Sequence, residues 1–174
     1  MSEPPDRIVL KRHRDLVGRR HEAWIRGGLL LALLGIPALA LANVFGQRSN
    51  TSQAASASGA LAVHVPSQVR PGLVYEARFR VTAVRSIEDA RLVLDSNWLE
   101  GMTLNTIEPA PSEETSKNDD LVLSLGEIPA GHFFRLLLQL QVNPTTSGHR
   151  SQDVALFDGD RQLVSLHRAM TVFP

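Results

Sequence analysis

The sequence predicts an all-β fold, an antiparallel β-sandwich of about seven strands, preceded by one transmembrane helix. Three observations carry this. An uncharged apolar run, "GGLLLALLGIPALALANVF", occupies residues 27–45. Beyond residue 60 the apolar residues adopt a period of two, the mark of half-buried strands. Turn signals recur in that region at Pro66, Pro71-Gly72, Pro129-Ala130-Gly131 and Pro144 to Gly148. Many short strands with such punctuation favour a sandwich, with a small barrel as the alternative.

The 174 residues carry 18 basic and 18 acidic side chains, but the balance is uneven along the chain. Residues 1–26 hold seven basic residues (Arg7, Lys11, Arg12, Arg14, Arg19, Arg20, Arg26) against four acidic ones, so this segment is a basic tail. A short helix from Asp6 to Arg20 fits its composition, as does an unstructured tail. No helix-turn-helix pattern accompanies the charge, and the arginines are dispersed among acids, so nucleic acid is not expected as a partner. Basic residues beside an apolar segment instead suit anionic lipid headgroups.

Nineteen helical residues rise about 28 Å, close to a hydrocarbon core of about 30 Å. The apolar run is longer than the roughly 7–15 residues of a signal h-region, which favours an uncleaved anchor. Its expected membrane residues are Leu29, Leu30, Leu31, Leu33, Leu34, Ile36, Leu39, Leu41, Val44 and Phe45, with Trp24 and Arg26 at the inner interface. Ala38-Leu39-Ala40 and Ala40-Leu41-Ala42 have the form of signal-peptidase sites, so cleavage after Ala40 or Ala42 is the competing reading. The Arg19-Arg20 pair lacks the flanking pattern of twin-arginine export. Arg48 is the one basic residue between the run and Arg70, so the positive-inside rule puts the N-terminus in the cytoplasm and the remainder outside the cytoplasmic membrane. Gly28 and Ala32 have the small-xxx-small spacing that lets two such helices form a homodimer.

Residues 46–59, "GQRSNTSQAASASG", show no apolar pattern and read as a flexible linker. The domain is then expected over 60–174. In "YEARFRVTA" Tyr75, Ala77, Phe79, Val81 and Ala83 share one face. In "FFRLLLQLQV" Phe134, Leu136, Leu138, Leu140 and Val142 do so. Shorter strands read at Leu61–Val65, Arg91–Leu94 and Leu121–Leu125, and 153–173 reads as a hairpin turning at Asp158-Gly159. The phase of its second arm slips near Arg168, which predicts a bulge or a move between sheets. Trp98 reads as a core plug in preference to an exposed contact.

The chain has no cysteine, so the domain relies on its core, and thiol chemistry is excluded. No nucleotide loop, nucleophile elbow or zinc-protease motif is present. His64, His132, His149 and His167 are scattered and read as structural or solvated. A Ser-His-Asp triad is a spatial arrangement that sequence alone does not reveal. No cofactor is expected. The stretch 107–120 reads as an acidic loop, and Glu113, Glu114, Asp119 and Asp120 are its weak candidates for a calcium or partner site. Asp158-Gly159-Asp160 raises the same question, and a hairpin turn accounts for it.

"RPGLVYEARFRVTA", "LEGMTLNTIEPAPS" and "LVLSLGEIPAGHFFRLLLQLQV", followed by a last hairpin, resemble the immunoglobulin-like domains of bacterial envelope proteins over residues 60–174. The layout of basic tail, single span and one β-domain also resembles single-pass proteins of actinobacteria. On that bacterial reading the sequon Asn50-Thr51-Ser52 carries no sugar. The resemblance transfers no catalytic residue. It implies a non-catalytic interaction or scaffold module, or an accessory subunit of a membrane complex, with a membrane or envelope protein as partner. A secreted binding domain is the alternative, and an envelope hydrolase the more remote one.

Overall fold

The computed structural model describes residues 20–42 and 47–173. The chain divides into two compact units between Val44 and Phe45, and each is taken by itself. Val44 and Phe45 of the expected anchor, and the Asp6–Arg20 helix apart from its last residue, lie outside the described residues.

The first unit holds helix α1, Arg20–Leu41. It starts before the expected boundary at Gly27, because "RHEAWIR" contains neither Gly nor Pro and is made mostly of good helix formers. Pro37 lies inside it, and the Ala42 N–H still reaches the Ala38 carbonyl at 3.0 Å. Within α1, Trp24–Leu41 is long and apolar enough to cross a membrane. Its side chains are unburied on every side, Trp24 at 83% and Leu31 at 71% exposure. A helix apolar all round belongs in lipid or against a partner.

Among the described residues, the second unit contains thirteen strands. They are β1 (Ser49–Ala55), β2 (Gly59–Pro66), β3 (Gln68–Val69), β4 (Val74–Ala83), β5 (Ile87–Leu94), β6 (Met102–Glu108), β7 (Glu113–Lys117), β8 (Asp120–Ile128), β9 (Phe133–Val142), β10 (Gly148–Ser151), β11 (Val154–Asp158), β12 (Arg161–Leu166) and β13 (Ala169–Val172). Sheet one has the order β1-β2-β4-β9-β6 and sheet two β12-β11-β5-β8-β7. A small third sheet, β10-β13-β3, contains the one parallel pairing among the described residues, β13 with β3. The fold is an immunoglobulin-like antiparallel β-sandwich, and its class agrees with the sequence expectation.

The period-two pattern explains the core. Tyr75, Ala77, Phe79, Val81 and Ala83 of β4 are buried, as are Leu136, Leu138, Leu140 and Val142 of β9. They join Leu92 and Leu94 of β5, Leu123 of β8 and Leu156 of β11 in one continuous cluster between the sheets. Trp98, in a 3-10 turn at Ser96–Trp98, is a core plug. It is 1% exposed, packs on Phe79 at 5.3 Å between ring centroids, and donates its indole N–H to the Asp153 carbonyl at 2.9 Å.

Two expectations are overturned. The linker expected over 46–59 contains β1, which pairs with β2 from Ser49↔Pro66 to Ala55↔Ala60. Edge pairing is made by main-chain groups, so a polar strand with small inward residues such as Ala54 joins a sheet without an apolar signature. The acidic loop expected over 107–120 is mostly strand. β6 runs to Glu108, β7 covers Glu113–Lys117, and Asn118 and Asp119, at φ 55° and 69°, turn the chain into β8. Two successive left-handed residues make the turn that suits hairpin twist, and Asn and Asp tolerate that conformation best after Gly. Strand number is therefore above the expected seven, since β1, β3, β6, β7, β10 and β13 are short, polar or bulged.

The aromatic pair predicts a large packing cost. Trp98→Ala is expected to lower unfolding free energy by about 3–5 kcal/mol in denaturant titration. A loss below about 1 kcal/mol would show that Trp98 is not a core element.

Candidate functional site

The acidic candidates separate in space. Glu113 and Glu114 lie on the exposed edge strand β7, and Asp119 is exposed in the turn after it. Asp120 leaves them, accepting the Ser96 backbone N–H on Oδ1 at 3.1 Å. Among the described residues, no three His, Asp or Glu side chains converge as a metal-holding group. Asp158, at the β11–β12 turn, is also engaged structurally. Its Oδ1 accepts the backbone N–H groups of Glu88 and Asp89 at 3.1 and 3.2 Å. Gly159, at φ +58°, completes that turn and donates its N–H to the Asp89 carbonyl.

Asp120 instead helps line the outer side of sheet two. There it meets Asp95, Asp153, Ser165 and His167 around a concavity of about 350 Å³. A second concavity, about 260 Å³, adjoins it through shared Val93 and Asp120 and adds Val122 and Phe157 beneath Arg91 and Lys117. The result is a half-buried apolar strip, Val93, Val122, Ala155 and Phe157, with charges of both signs at its margins. A strip apolar within and charged at its rim is the usual form of a protein-contact surface. Sequence reasoning missed it because it draws on β5, β8, β11 and β12, far apart in the chain.

Within this surface Asp153 Oδ2 lies 2.8 Å from His167 Nδ1, and Ser165 is nearby. The arrangement has the form of an oriented imidazole. Asp153 nevertheless has structural work. Its Oδ1 accepts the Arg168 backbone N–H at 3.2 Å, and its carbonyl takes both the Trp98 indole and the Asp95 N–H. The other histidines are dispersed as expected: His64 pairs with Thr51, His149 with Thr171, and His132 with the Ala130 carbonyl.

The phase slip near Arg168 marks a move between sheets. β12 ends at Leu166 on the margin of sheet two, and β13 begins at Ala169 in the third sheet. Arg168 is buried at that corner. Its Nε donates to Ser52 Oγ of β1 at 3.1 Å and an Nη to the Val65 carbonyl of β2 at 3.4 Å. Burial pulls its pKa down, opposed by the nearby Tyr75. Gln152, fully buried, donates to the Tyr75 hydroxyl at 3.5 Å. Burial pushes the Tyr75 phenol up to about 12, against the smaller lowering effects of Gln152, Arg150 and Arg168.

No family model matches the sequence, and no curated protein matches it. Among solved structures, the chain is similar to AvmM, which catalyses macrocyclization in alchivemycin A biosynthesis. Identity is 12% and TM-score 0.45, over 73% of this chain and 90% of that one. It is also similar to a cohesin module from a family 33 glycoside hydrolase of Clostridium perfringens, at 18% identity and TM-score 0.44, over 66% and 96% of the two chains. A CARDB domain from Pyrococcus furiosus, in complex with di-metal ions, shows 15% identity and TM-score 0.39, over 70% and 95%.

Tyr75 is the single tyrosine, which makes its titration readable by phenolate absorbance. Its folded pKa lies above the unfolded value of 10.0, so the fold favours the neutral phenol. That stabilisation is full below pH 10 and is lost as pH rises from about 10 through about 12, for roughly 2–3 kcal/mol in total. The phenolate signal is expected to appear together with alkaline unfolding. Ionisation near pH 10 in a folded chain would contradict its burial.

Proposed function

We propose that this chain is a membrane-anchored interaction module. On this reading α1 holds it in the cytoplasmic membrane with the N-terminus in the cytoplasm. The sandwich stands outside, binds a membrane or envelope protein, and performs no chemistry of its own. The observation that carries the proposal is the Trp24–Leu41 window, apolar and unburied on every side, in a chain that also builds an independent β-core. The excess of Lys and Arg before the window supports the orientation. The apolar strip on sheet two supports protein contact there. A role as accessory subunit of a membrane complex fits the same features.

A second reading is a secreted binding domain released by cleavage. The two Ala-x-Ala sequences over 38–42 favour it, as they lie at the C-terminal end of α1. One experiment separates the readings. Membranes carrying the expressed chain are washed with carbonate, treated with protease from outside, and the product is sequenced from its N-terminus. The anchored module is expected in the pellet with residues 1–26 intact and the sandwich exposed to protease. A soluble product beginning at Leu41 or Asn43 would establish cleavage, and an intact soluble chain in the cytoplasm would overturn both. In mild detergent, a stoichiometric membrane partner is expected to co-purify and to be lost on Val93→Arg.

A further inference from the structure

The outer face of sheet one carries a second constellation, distinct from the strip on sheet two. Arg80 of β4 and Arg135 of β9 stand directly opposite each other in the ladder. Like charges in such a pair destabilise a sheet. Both guanidinium groups lie over one ring, that of Phe133, at 4.4 and 4.9 Å from its centroid. Phe133 is itself 49% exposed, an unusual place for a large aromatic in a water-facing row.

Neither arginine makes an ion pair or side-chain hydrogen bond among the described residues. The contrast with Arg78 on the same face is direct. Arg78 is held by both oxygens of Glu76, at 2.8 and 3.2 Å. Each guanidinium carbon sits over the ring, and no side chain among the described residues takes the N–H groups of either arginine, which can match carboxylates two bonds at a time. Beside the pair, across β1, β2 and β4, runs a concavity of about 590 Å³. Ala55, Ala60 and Ala62 form its floor, and Gln53, Thr82 and Arg80 bound it. Small residues on a sheet face leave room for an extended chain to lie against it.

We propose that Arg80, Phe133 and Arg135 form a carboxylate clamp that takes an acidic, extended peptide segment of a partner protein, its backbone resting in the alanine trench. Charge complementarity selects that occupant. The clamp presents two positive charges with no acidic partner among the described residues, while Glu76, the acid on the same face of β4, is already held by Arg78. The clamp is preorganised, because the ring holds both cations before any ligand arrives. The like-charge pairing then reads as stability given up for binding.

The test uses the full chain in zwitterionic nanodiscs and a fluorescent peptide of alternating glutamate and alanine, followed by anisotropy. Saturable binding that weakens with added salt is expected. Arg80→Gln/Arg135→Gln is expected to lose about tenfold or more in affinity, and Phe133→Ala several-fold, while Arg161→Gln, on sheet two, matches the parent. The double variant is also expected to unfold at the same or higher denaturant concentration than the parent, so its loss of binding is not a loss of fold. Three results overturn the proposal. One is absence of saturable binding by the parent. Another is unchanged affinity in the double variant. The third is transfer of the Arg80/Arg135 dependence to anionic vesicles, or to self-association of the chain, with none for the peptide.

Discussion

A buried arginine at the corner where the chain leaves sheet two organises the rest of the domain. Arg168 reaches Ser52 on β1 and the Val65 carbonyl on β2, while its own backbone N–H is held by Asp153. One side chain thereby ties the outermost strand of sheet one, its neighbour and the crossing segment. Burying a guanidinium is costly, and here the cost is offset only in part, because one Nη of Arg168 is buried without a hydrogen-bond partner. The adjoining Tyr75 and Gln152 extend the same polar pocket into the core. A hydrophobic side chain at 168 would fill the space without linking β1 to β2 and β13. The arginine trades stability for a defined corner.

That corner changes the boundary of the domain. With β1 in the sheet, the sandwich begins at Ser49 in place of residue 60. The sandwich thus begins close after the apolar window in sequence, and its first strand is an edge strand without charge. Such edges invite pairing with other chains. Here β12 lies close to β1 and β2, so part of that exposure is covered from sheet two.

Core strands were legible because their side chains carry the information. The buried set of β4 matches the apolar set read from sequence, and that of β9 does so except at Phe134, which is half-buried against the core. The crossing at Arg168 was legible as a lost phase. β1 and β7 were not, because "SNTSQAA" and "EETSK" join their sheets through backbone groups at edges. The turn at Asn118-Asp119 was available as a signal and was outweighed by the surrounding charge. Surface constellations were the least legible part. The strip on sheet two and the Arg80–Phe133–Arg135 cluster depend on register between distant strands, and a chain read linearly shows Phe133 only as an apolar residue out of phase. Asp120 was singled out for its charge, whereas in the fold it starts β8 at the margin of the strip and accepts the Ser96 N–H of the 3-10 turn.

The account stands on β1 being an integral strand and not a tether. Amide hydrogen exchange of residues 49–55 in the full chain tests this most directly. The account predicts that the β1 amides bonded to β2 exchange about a hundredfold or more slowly than free peptide. Exchange of all of them at the free-peptide rate would contradict it and return the segment to the role of a linker.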